Sequence, residues 1–146
     1  MKNAFFKKAL VALSILATVE PAGMALAHSG GATIGDSAHA VDLAAVTCSG
    51  GSHHLFGQIR DMSPPGGALL SFHIYKGNQM ASTTDTVPGL EDPNYSSGIQ
   101  LNGGDGIYYI SATKTGPGAR LFDVIWHCMN SAGGHTDTDI AVLQFQ

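Results

Sequence analysis

Histidine is the residue type in this chain with metal chemistry to offer. His28, His39, His53, His54, His73, His127 and His135 all lie beyond residue 27. Neutral imidazole suits copper, zinc and nickel. Two arrangements would let several of these rings share an ion. In the first, Cys48 precedes Ser49-Gly50-Gly51-Ser52-His53-His54, and Cys128 precedes a loop carrying His135 and Asp137. A Cys48–Cys128 bridge would hold the two Cα atoms about 5.5 Å apart. The glycine-containing loops would then leave the same end of the fold side by side, bringing His53, His54 and His135 to one Cu(II) or Zn(II) ion, with Asp137 or water completing the shell. In the second, processing after Ala27 frees the amine of His28. That amine and the His28 imidazole would chelate copper in a histidine-brace manner, with His39 the nearest second histidine in the sequence. The alternative for all seven is that they are surface imidazoles in a chain poor in lysine.

Other chemistry has little support. The chain contains no Gly-x-Ser-x-Gly elbow, P-loop, His-Glu-x-x-His or Cys-x-x-Cys. The acidic neighbours Glu91-Asp92, and Asp137 with Asp139, read as solvated turn residues. Asn102 to Gly106 offers one carboxylate among three glycines, too few oxygens for a calcium loop. His73 and Tyr75, with Tyr108 or Tyr109, would make either an aromatic strip for a sugar or peptide or an ordinary half-buried sheet face.

The N-terminus reads as an export signal. Lys2, Lys7 and Lys8 precede an apolar run from Ala9 to Val19, then Glu20-Pro21-Ala22-Gly23, then Ala25-Leu26-Ala27. Those are a basic lead, an apolar segment and a small-x-small peptidase site. The run is shorter than the roughly 20 residues that span a bilayer. Cleavage after Ala27 leaves one domain's worth of chain, with no transmembrane segment expected in it. The leader takes three of the seven Lys and Arg and one of the eleven Asp and Glu. The remainder is thus more acidic than the whole chain, whose formal charge is −4. Such a domain lacks the basic face that nucleic-acid phosphates require. In an oxidising compartment the two cysteines are expected to bond to each other; two free thiols are the alternative.

The elements that must position these residues are strands. His28 to His39 is rich in Ser, Gly and Ala and reads as a flexible arm. From residue 40 to residue 146, short β-rich runs recur between turn residues, the pattern of a sandwich or barrel. The runs are Val41–Cys48, Leu55–Asp61, Ala68–Lys76, Gln79–Thr84, Ser97–Leu101, Ile107–Lys114, Arg120–Cys128 and Asp139–Phe145. Alternation places Phe122, Val124, Trp126 and Cys128 on one face of their strand and His127 on the other. Val46 shares a face with Cys48. A disulfide joining two inner faces beside a tryptophan is the staple of immunoglobulin-type sandwiches.

Asp105-Gly106-Ile107-Tyr108-Tyr109-Ile110-Ser111-Ala112-Thr113-Lys114, a Gly-Pro-Gly turn, and Leu121-Phe122-Asp123-Val124-Ile125-Trp126 together resemble the closing hairpin of secreted prepeptidase C-terminal-type domains. Those are jelly-roll-like sandwiches appended to exported enzymes. The resemblance covers about a quarter of the processed chain and implies a binding or secretion role rather than catalysis. No enzyme domain is expected beside it, which would be a departure from that pattern.

The sequence therefore predicts an all-β, single antiparallel sandwich, immunoglobulin-like or jelly-roll-like, of seven or eight strands with one disulfide. It predicts an exported, periplasmic or secreted, non-catalytic binding protein whose first ligand candidate is a transition metal, copper before zinc. The competing reading is a cell-envelope structural module that binds protein or glycan without metal. A copper redox enzyme using the His28 amine is a third.

Overall fold

The computed structural model describes residues 28–87, 89 and 93–146. The expected leader, and the Glu91-Asp92 pair, lie outside the described residues. Nine strands are present: β1 (His28–Ile34), β2 (Asp42–Ser49), β3 (His54–Asp61), β4 (Leu70–Lys76), β5 (Gln79–Thr84), β6 (Ile99–Asn102), β7 (Gly106–Lys114), β8 (Arg120–Met129) and β9 (Asp137–Gln144). They form two antiparallel sheets, ordered β1-β8-β3-β6 and β5-β4-β7-β2-β9. Among the described residues there is no helix, so none crosses a membrane.

The expected alternation holds where one sheet face is buried. Phe122, Val124, Trp126 and Cys128 of β8 are buried, as are Val46 and Cys48 of β2 and Leu70, Phe72 and Ile74 of β4. These inner faces form a single core, and Cys48–Cys128 joins the two sheets through it with Cα atoms 5.5 Å apart. A bridge closing a loop this long restricts the unfolded chain strongly, by ~4 kcal/mol in the chain-entropy account.

Two expectations are corrected. The stretch from His28 to His39 is not a flexible arm: its first seven residues are β1, paired with β8 from His28↔Trp126 to Ile34↔Arg120. Its glycines suit that position. A Cβ on Gly30 would sit 3.3 Å from the Trp126 ring, and one on Gly31 would sit 3.1 Å from the Phe122 carbonyl. Close backbone approach to a large aromatic, rather than mobility, is what these small residues serve. β1 also raises the strand count to nine.

The second correction concerns connectivity. β7 and β8 are not a hairpin, because the turn between them carries the chain from one sheet to the other. The turn between β6 and β7 does the same. Only β4 and β5 are consecutive strands that pair, with Lys76 opposite Gln79 across Gly77-Asn78. Gly77 has φ of +59°, which suits the first central position of a type II′ turn.

At the sandwich end away from the disulfide, Arg120 is buried against Asp61. Its Nε and Nη2 donate to Oδ2 at 2.9 and 2.5 Å, and its Nη1 donates to the Gly66 carbonyl. Oδ1 of Asp61 accepts from the Ser63 amide, and the Asp61 amide donates to Asp85. Both charges are thus paired and hydrogen-bonded, as burial requires.

Candidate functional site

The disulfide end of the sandwich gathers the β2–β3 loop, the β6–β7 loop, the β8–β9 loop and the start of β1. Antiparallel pairing dictates this. Cys48 lies opposite Gly106, His54 opposite both Asn102 and Met129, and His28 opposite Trp126.

The two histidine loops emerge side by side, as the bridge geometry predicts. The His53 amide donates to the Met129 carbonyl at 2.7 Å, and Met129 in turn forms a bridge with His135. The Ser52 and Thr136 hydroxyls meet at 2.7 Å. Asp105 fixes the first loop from the side: its carboxylate accepts from the amides of Gly51 at 3.1 Å and Ser52 at 2.6 Å. Those two hydrogen bonds, Ser52 first, hold the Asp105 carboxyl below the usual carboxylate range. Lys76 donates to the Gly104 and Asp105 carbonyls and sits 4.1 Å above the Tyr108 ring. The Asn102–Gly106 turn is thus a clamp on the histidine loop.

The side chains sort into two pairs rather than one trio. His53 and His54 approach edge to face, with Nδ1 atoms 3.4 Å apart. His135 turns instead to His127, with ring centroids 4.5 Å apart. His127 is also stacked on Phe56, its partner across the β3–β8 ladder, at 6.2 Å and 7°. Its Nδ1 is buried without a hydrogen-bond partner. Burial, then the charges of His135 and His28, push the His127 imidazole below its ordinary pKa. His54 is lowered too, by burial and then by His53. His28 stands at the start of β1 with its ring on the inner face, stacked over Trp126 at 6.2 Å. Among the described residues, no three His, Cys, Asp or Glu side chains are arranged to hold a metal ion.

The sequence-predicted residues therefore separate. His53 and His54 meet. His135 reaches their backbone but packs on His127. Asp137 lies opposite Ser49 and against Gly50. His28 stands at the histidine end, whereas β1 runs away from it to Ile34, so His39 lies beyond the far end of that strand. His127 was the residue missed. Outward parity on β8 was legible, but its neighbours could be known only once β1 and the returning β8–β9 loop were placed beside it.

On the outer face of the other sheet, Tyr75 lies opposite Tyr109, and His73 is 6.0 Å from Tyr75 with its Nε2 2.9 Å from the Thr113 hydroxyl. Tyr108 is buried on the opposite side and takes no part in that strip.

No family model matches this chain, and no curated protein matches it.

Proposed function

We propose that this is an exported, non-catalytic binding protein that takes a transition metal, copper first, at the histidine end of the sandwich. The observation that carries the reading is His127: a half-buried imidazole with an unpartnered Nδ1, faced by His135 at 4.5 Å and carrying the influence of His28. Lowered basicity favours the neutral imidazole that binds metal. Processing after Ala27 would add the His28 amine beside this pair, giving the nitrogen donors that copper or zinc prefers. His54 is the diagonal neighbour of His127 on the same sheet face, at a spacing of ~7–8 Å, so the His53–His54 pair borders the same surface. The cysteine bridge and the leader pattern both support an oxidising, exported setting.

Zinc titration of the isotope-labelled exported protein, followed through the histidine ring resonances, tests the ligand set. The rings of His127 and His135 should shift together and saturate, while those of His39 and His73 stay in place. Shifts confined to His53 and His54 would move the site to the loop pair. No saturable shift in any ring would remove the metal and leave an envelope interaction module as the account.

A further inference from the structure

A second feature lies on the inner faces, where the two sheets part. The inward residues of β1 are those opposite Trp126, Val124, Phe122 and Arg120, namely His28, Gly30, Ala32 and Ile34. Gly30 and Ala32 fill little of the space between the sheets. Across from them, β2 and β7 present Ala44 and Ala112, again small. The inner residues of β9, Ile140 and Val142, pair with Val46 and Ala44. They have little above them, and Val142 is 65% exposed. The result is a cleft of about 150 Å³ that opens between the edge strands β1 and β9, with Phe72, Phe122 and Trp126 in its walls.

Two polar side chains stand in this apolar wall without full partners. Asp42 is only 8% exposed. Its Oδ1 accepts from the Gln146 amide at 2.8 Å, and its Oδ2 has no partner. Trp126 is 6% exposed and its indole Nε1 is also unpartnered. Burial raises the Asp42 carboxyl above its ordinary pKa. A buried acceptor left unsatisfied costs ~1–3 kcal/mol, so a guest that donates to it gains specificity from that atom.

We infer that the cleft binds a small, uncharged, mostly hydrocarbon molecule carrying one hydroxyl, which donates to Oδ2 of Asp42. The size is that of a single aromatic ring or a short branched alkyl group; an apolar cavity of ~150 Å³ stays dry and accepts benzene. A carboxylate guest would meet Asp42 with like charge. An ammonium guest would bring three N–H donors to a wall with one free acceptor, leaving two unsatisfied. The inference is independent of the metal reading.

Trp126 is the single tryptophan of the chain, so its fluorescence reports on the cleft. The exported protein, kept in chelator, is titrated with benzyl alcohol, its near-isostere ethylbenzene, and benzylamine. Benzyl alcohol and ethylbenzene should each give a saturable change in Trp126 emission. Ala32→Leu should abolish both by filling the cleft, and Ala44→Val should weaken both if the first variant does not fold. Asp42→Leu replaces the carboxylate with an apolar side chain of similar size, which neither accepts from the guest hydroxyl nor donates to it. It should lower benzyl alcohol affinity about tenfold more than ethylbenzene affinity, the loss of one buried hydrogen bond of ~1.4 kcal/mol. No saturable response, binding that survives cleft filling, equal losses for the two probes in Asp42→Leu, or tighter binding of benzylamine would each overturn the inference.

Discussion

The imidazole of His135 lies 4.5 Å from that of His127, ring centroid to ring centroid, because the β8–β9 loop turns back over the strand it has just left. Asn130 organises the return, its amide donating to the Gly134 carbonyl and its side-chain oxygen accepting from the Ala132 and Gly134 amides. Two rings this close resist being protonated together. With Phe56 stacked on it and His135 beside it, His127 is shifted toward the neutral form.

Stability should therefore depend on pH with a definite sign. Unfolded His127 takes a proton near its ordinary pKa of ~6.5, while the folded ring takes it only at lower pH. The unfolded state then binds more protons across that interval, so stability is full above it and falls as pH drops through it. His54 and His73, both lowered by burial, act in the same direction. Metal-free melting temperature should decline between neutral pH and pH ~5, and His127→Phe should flatten the decline. An unchanged slope in that variant would place the shifted group elsewhere.

Arg120 and Asp61 should behave as a buried pair. Arg120→Met leaves the Asp61 carboxylate buried without its partner, and ~3–5 kcal/mol of stability should be lost. Adding Asp61→Leu should recover much of that loss, since the uncompensated charge is gone. Denaturant unfolding of the parent, single and double variants measures both steps. A double variant no better than the single would show that the Ser63 contact to the Asp61 carboxylate carries the effect.

The Asp105 clamp predicts a local rather than a global effect. Asp105→Asn removes the carboxylate that accepts from Gly51 and Ser52. Amide hydrogen exchange at those two positions should accelerate, with the β8 amides unchanged. The same loosening should appear in the parent as pH falls below the ordinary carboxylate range, because the lowered Asp105 pKa stabilises the loop above that range and loses its effect below it. Acceleration spread evenly over both sheets would contradict a local clamp.

Strand positions were legible because half-buried strands alternate: the core face of β8 and the Val46–Cys48 face of β2 could be read from period two alone. The disulfide followed from compartment and count. Sheet membership was not legible, since a Gly-Pro-Gly turn between two good strands reads the same whether the chain pairs back or crosses to the other sheet. β1 was hidden for a related reason. Its contribution is backbone pairing and closeness to Trp126, so it has no apolar pattern to read. The histidine loops were placed correctly at one end from the cysteine positions, but ring partners depend on the strand neighbours of His127, which only the sheet order supplies.

The bridge itself should matter for stability. Cys48→Ala should lower the melting temperature by several degrees or more, for a loss of ~2–4 kcal/mol in a domain of this size. The same substitution should weaken any metal site, because the bridged strand ends align the two histidine loops. Differential scanning calorimetry of parent and variant checks the first part; equal melting would show that inter-sheet packing alone holds this end together.

Calorimetric titration of the metal-free protein beginning at His28 with Cu(II) tests the central claim most directly. At about pH 7.5, one saturable site of micromolar affinity or better is predicted. It should weaken sharply at about pH 5.5, where imidazole protonates, and be lost in His127→Ala. Absence of saturable binding at the higher pH, or binding that His127→Ala leaves intact, would contradict the assignment of this histidine group as a metal site.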